Sequence, residues 1–192
     1  MIRTLIAGLA GAIAMFLWAS FAHMATPLGH MGVEEMPNEA PALSALAASL
    51  GEEHAFYFYP GVGLGHHPSM EEMKAAMPAY LEKLKTNPWG IVIYHPPGSG
   101  GDTMMKNMIV EFGLELVAAV IAAFLLAGAA VSGFLNRVGF VAAIGAISAV
   151  ATNGSYWNWY GFPTDYTLAH MAIQFVGFIA AGIPIALLAP RS

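Results

Sequence analysis

The chain has 192 residues, of which 57% are hydrophobic and only 10% charged, and its formal net charge is −5. Such proportions exclude an ordinary soluble domain, in which about a quarter of the residues carry charge. The acidic balance and the lack of a basic cluster exclude nucleic acid as a partner, and the absence of cysteine removes disulfides, thiolate metal sites and thiol catalysis together.

Four apolar stretches, at 4–22, 116–135, 138–156 and 171–189, are each long enough to cross a hydrocarbon core of ~30 Å, which takes about 20 helical residues. The first follows Arg3 as a secretory signal would. Its apolar run is too long for that role and lacks a small-x-small cleavage site, so a retained membrane helix is expected. Between the first and second stretches the residues alternate in character. Asn38 is placed to cap a short helix that runs to Leu50 and ends at Gly51. The run Ala55-Phe56-Tyr57-Phe58-Tyr59 predicts a strand closed by Pro60-Gly61. Ser69 and Glu72 form the spacing of a capping box that opens a second helix to about Lys85, and Pro78 within it should kink or split it. Gly90-Ile91-Val92-Ile93-Tyr94 predicts a second strand. Two strands flanking a helix suggest a parallel unit with a right-handed crossover. Gly98-Ser99-Gly100-Gly101 lacks the lysine of a phosphate loop and reads as a hinge leading to Asp102, a cap for the second membrane helix.

The expected fold is therefore a membrane all-α four-helix bundle with a small α/β extracytoplasmic domain inserted between helices one and two. Its divisions are 1–23, 24–103 and 104–192. The arginines give it a direction. Arg3, Arg137 and Arg191 fall at the N-terminus, in the expected short loop between the second and third spans, and at the C-terminus. The positive-inside rule makes that side cytoplasmic. The segment 24–103 is then periplasmic, and Tyr156-Trp157-Asn158-Trp159-Tyr160 supplies an interfacial aromatic belt near the outer boundary.

Depth singles out one set of ionisable residues. His23 lies 20 residues from Arg3, Glu115 lies 22 from Arg137, and His170 lies 21 from Arg191. At 1.5 Å per residue each has travelled roughly 30 Å, the thickness of the hydrocarbon core. Glu111 shares a helical face with Glu115, and Gln174 shares one with His170. His23, Glu111, Glu115 and His170 are thus a candidate site for a divalent metal, a proton or a small ligand. The plainer reading is that they sit separately in the headgroup zone and anchor the outer domain, and depth alone favours it. A second candidate is copper, through the soft and imidazole ligands His30, Met31, His66 and His67. By contrast Met70, Met73, Met77, Leu81 and Leu84 recur at helical period, as a packed face does. Small residues at 7, 8, 11, 12, 139, 145, 149, 177 and 181 fit close helix packing.

Three segments are distinctive: Pro27-Leu28-Gly29-His30-Met31-Gly32, Pro37-Asn38-Glu39, and Tyr156 through Pro163. Together they resemble a group of small four-helix bacterial inner-membrane proteins with no assigned function. The resemblance implies a bacterial inner membrane and carries over no catalytic residue. With no catalytic set in the chain, the leading expectation is a non-enzymatic accessory subunit or assembly factor, partnered by lipid and other membrane subunits. The alternative is a periplasm-facing protein that handles copper, another divalent ion or a small ligand. An enzyme acting on lipid would need Glu111, Glu115 and His170 to converge on one cleft.

Overall fold

The computed structural model describes residues 1–65, 67–98, 100 and 103–190. Its described residues are mostly helical, with six α-helices and one two-stranded sheet. The chain divides into two units, Met1–Glu34 with Asp102–Ser192, and Glu35–Gly101. Residues 24–34 group with the helical unit.

In the helical unit the long helices are α1 (Ile2–Ala25), α4 (Thr103–Gly128), α5 (Phe134–Tyr160) and α6 (Thr164–Leu188), and all four are long and apolar enough to cross a membrane. They pack side by side in the order α4, α1, α6, α5. Small residues set the spacing. Ala7, Ala12, Ala119, Ala123 and Ala181 are fully buried at the seams, where side chains this small let the helices approach closely. Gly139, expected at a seam, is exposed, with nothing near enough for a Cβ to touch. The contacts fix helix direction: Gly8 meets Val120, Gly11 meets Ile185, Gly177 meets Met15, and Gly145 meets Phe178. With Phe16 edge-on to Phe112 and Gly182 close to Val138 and Val141 as second points of contact, α1 runs antiparallel to both α4 and α6, and α6 antiparallel to α5. The start of α1, the α4–α5 connection, and the end of α6 gather at one end of the unit.

Two expectations about this unit need correction. The second long helix opens at Thr103, directly after the expected cap position, and ends at Gly128, short of 135 where the apolar stretch was expected to end. Arg137 is not in a loop. It occupies the first turn of α5 and is only 1% exposed. Its Nε donates to Ala186 O (3.1 Å), Nη1 to Val131 O (3.4 Å), and Nη2 to Ala189 O (3.0 Å) and Pro190 O (3.2 Å). The guanidinium therefore closes the C-terminal end of α6, where helical carbonyls have no partner within the helix.

In the small unit the elements are α2 (Glu39–Leu50), β1 (Ala55–Tyr59), α3 (Met70–Thr86) and β2 (Gly90–Tyr94). Gly51 ends α2 at φ 70, a conformation natural to glycine. The capping box of α3 is complete: Ser69 N–H and Oγ both donate to Glu72 Oε2 at 2.7 Å, and Glu72 N–H donates to Ser69 Oγ at 3.2 Å. Those two Ser69 donors, the backbone N–H foremost, hold the Glu72 carboxyl below its ordinary value of 4.5. Pro78 does not split α3. The Lys74 carbonyl whose partner it removes belongs to an exposed residue, where water can serve it. The methionine stripe is half-buried at best: Met73, Met77 and Leu84 are half-buried, Met70 is 86% and Leu81 49% exposed, and no residue of α3 is fully buried.

The sheet corrects the parallel expectation. β1 and β2 are antiparallel, with Ala55 opposite Tyr94 and Tyr59 opposite Gly90. The connection between the strands, which holds α3, therefore leaves and rejoins the sheet at the same end, where Tyr59 stands opposite Gly90. Ser99, Gly101, Asp102 and Arg191 lie outside the described residues, so the hinge and cap expected there are not described beyond Gly98 and Gly100.

Candidate functional site

The end of the helical unit opposite the α4–α5 connection holds a cavity of about 310 Å³. All four long helices contribute: Met15, Ala19 and His23 from α1, Glu111, Leu114, Glu115 and Ala118 from α4, Ser148 and Asn153 from α5, and His170, Ile173, Gln174, Gly177 and Phe178 from α6. The four boundary residues singled out by depth, His23, Glu111, Glu115 and His170, therefore line one cavity.

Each wall has a local cause. His23 is in the last turn of α1, where its Nδ1–H donates to Ala19 O at 2.9 Å. Its ring centroid stands 5.6 Å from that of His170. The His170 ring in turn lies 4.1 Å from that of Tyr166, one helical turn earlier. Trp18 Nε1 donates to Ile173 O at 2.8 Å and ties α1 to α6 beside the cavity. Gly32, at φ +70, lies where a Cβ would meet Asp165 Oδ1 and Tyr166 Cβ, both at 2.7 Å, so the loop after α1 sits directly on the first turn of α6.

The polar groups of the cavity fall into two classes. The amides are satisfied: Asn153 Nδ2 donates to Ala149 O (3.0 Å) and Gln174 Oε1 (2.9 Å), and Gln174 Nε2 donates to Ser148 Oγ (2.8 Å). Glu115 is not. It is 7% exposed, and its Oε2 is buried with no hydrogen-bond partner among the described residues. Glu111, one turn away, is exposed. Leaving a buried carboxyl oxygen unpaired costs free energy that an occupant offering a donor or a positive charge would recover.

Among the described residues, no three of His, Asp and Glu are grouped closely enough to hold one metal ion. The second expected set is divided: His30 and Met31 are exposed in the helical unit, His67 is exposed in the small unit at φ 61, and His66 lies outside the described residues. Sequence reasoning missed Ser148 and Asn153, which both fall within the apolar stretch 138–156. Polar side chains at membrane depth would have been the signal, since they are costly there unless paired. No family model, curated protein or solved structure matches the chain, so its own chemistry is what bears on function.

Proposed function

We propose that this chain is an integral protein of a bacterial inner membrane that binds a small cationic ligand, an amine, in the cavity at the outer end of its helices. The observation that carries the reading is the buried Glu115 carboxyl, with one oxygen unpartnered among the described residues, in a cavity that also holds Glu111. A volume of about 310 Å³ suits a compact molecule or a lipid headgroup. Met15, Phe178 and Ile173 supply apolar wall, and the paired Asn153, Gln174 and Ser148 a polar one. A metal version has weaker support, because three ligating side chains do not gather among the described residues.

The orientation belongs to the same proposal. N-terminus and C-terminus are cytoplasmic and Glu35–Gly101 is periplasmic. Arg3 supports this by its place at the end where α1 starts and α6 finishes. Arg137 supports it less than its charge suggests, since it is consumed by the carbonyls of α6.

The test is thermal stability of the purified protein with ethanolamine, choline and putrescine as probes, for the natural chain and Glu115→Gln. The natural chain is expected to be stabilised by at least one amine. Glu115→Gln should match or exceed its stability without amine and bind the amine with at least ~10-fold lower affinity, the loss expected when a charged partner worth about 1.4 kcal/mol or more is removed. A purely structural Glu115 would give the opposite pattern, with E115Q less stable and amine binding unchanged. Nanodiscs with and without phosphatidylethanolamine separate a headgroup from a free amine.

The second reading is an accessory subunit of a larger membrane complex. Trp89 and Ile93 of the small unit, 60% and 62% exposed, are apolar surface of the kind that partner proteins cover. Affinity purification in mild detergent should then recover partner chains in fixed stoichiometry, and a clean monomer would count against it.

A further inference from the structure

The small unit carries a pair of side chains that the cavity does not use. His54 directly precedes β1 and His95 directly follows β2, so they form the next cross-strand pair beyond Ala55 and Tyr94. Their Nδ1 atoms are 3.0 Å apart, their ring centroids 5.0 Å, and their planes cross at 79°. Both rings are exposed. As a hydrogen bond this contact uses one ring as donor and the other as acceptor.

The same spacing suits a shared metal ion. With metal–nitrogen bonds of about 2.0–2.1 Å, nitrogens 3.0 Å apart subtend an angle of about 94° at the ion. That is close to the right angle between neighbouring positions of a square-planar or tetragonal ion. Both Nδ1 atoms ligate once both rings are the Nε2–H tautomer, so the ring that donates in the hydrogen bond moves its proton from Nδ1 to Nε2, and rotation about χ2, a broad torsion for histidine, aims the two lone pairs. The backbone beneath the pair is already held. Tyr94, the neighbour of His95, is 8% exposed, and its hydroxyl donates at 3.0 Å to the carbonyl of Gly51, three residues before His54. Glu52 and Glu53 beside them add negative charge that favours a cation's approach.

We propose that His54 and His95 form a two-histidine chelate for a divalent transition-metal ion of tetragonal preference, copper(II) or nickel(II), with water completing its coordination. The site is independent of the helical cavity. Two imidazoles fixed at one spacing bind as a chelate, the second attaching at high effective concentration. Imidazole suits both ions, and their preferred geometry matches the angle.

The test is copper(II) titration of the full-length protein in detergent, read by binding affinity and by electron paramagnetic resonance for the number of coordinating nitrogens. The natural chain should show an ion with two imidazole nitrogens. His54→Gln and His95→Gln should each lower the affinity at least ~10-fold, by loss of the chelate, and leave one nitrogen. His170→Gln, in the cavity, should leave the signal unchanged, which keeps this site's outcome distinct from the amine reading. Equal affinity and nitrogen count in His54→Gln and the natural chain would overturn the proposal and leave the pair as a hydrogen bond only.

Discussion

Replacing Arg137 by methionine should destabilise the helical unit by about 3 kcal/mol, because hydrogen bonds from a charged donor are each worth ~1.5–3 kcal/mol and are not additive. Methionine keeps much of the volume and removes every donor. Four carbonyl oxygens, those of Val131, Ala186, Ala189 and Pro190, would lose their arginine partner. Three of them belong to the end of α6 or the residues after it, where the partial negative charge of the helix also favours a cation. Arg137→Lys discriminates between two roles. If the residue serves only as a cytoplasmic charge that orients the chain, lysine should replace it without loss. If the planar fork is what matters, lysine's single nitrogen cannot span the same acceptors, and the variant should fall between methionine and arginine. Unfolding in increasing dodecyl sulfate gives the ranking. A methionine variant as stable as the natural chain would mean that burying the guanidinium costs as much as its bonds return.

Arg137 also illustrates why some of this fold was legible in the sequence and some was not. A charge between two apolar runs reads as a loop, since hydropathy records where lipid ends and not where a helix begins. Its burial depends on carbonyls about 50 residues later, which no local pattern announces. The strands at 55–59 and 90–94 were readable residue for residue, because aromatic and β-branched runs bounded by turn residues have few other conformations. Their direction was not, since nothing local to either strand says at which end of the sheet the connection carrying α3 rejoins it. The histidine pair depends on that direction. In a parallel sheet His54 and His95 would stand at opposite ends, whereas in the antiparallel register they are adjacent. Depth along the helices was more legible. Rise per residue fixes height along a helix, so His23, Glu115 and His170 fall at one level from sequence alone. Helix rotation, which turns a level into a cavity, is set by the packing of α1 against α4 and α6.

Gly8 tests that packing most directly. A Cβ on Gly8 would stand 2.7 Å from Val120 Cα and 3.1 Å from its backbone nitrogen. A flexible side chain could move aside, but a helix backbone cannot do so without shifting the whole helix. Gly8→Ala is therefore expected to cost about 1–3 kcal/mol, the range for overpacking a close interface, and Gly8→Leu more. Gly113→Ala is the control. This residue also lies inside a long helix, yet nothing lies within 4 Å of where its Cβ would stand, so the substitution should be neutral or stabilising by up to about 1 kcal/mol through helix propensity. The two alanines change the sequence identically and differ only in what they meet. The Gly8 effect should also reach the cavity. Forcing α1 away from α4 shifts the wall formed by Met15, Ala19 and His23 relative to Leu114, Glu115 and Ala118. Gly8→Ala should then weaken amine-dependent stabilisation as well as stability itself, while Gly113→Ala changes neither by much. Equal stability of Gly8→Ala and the natural chain would mean that α1 and α4 are not in backbone contact, and the cavity between them would lose its physical basis.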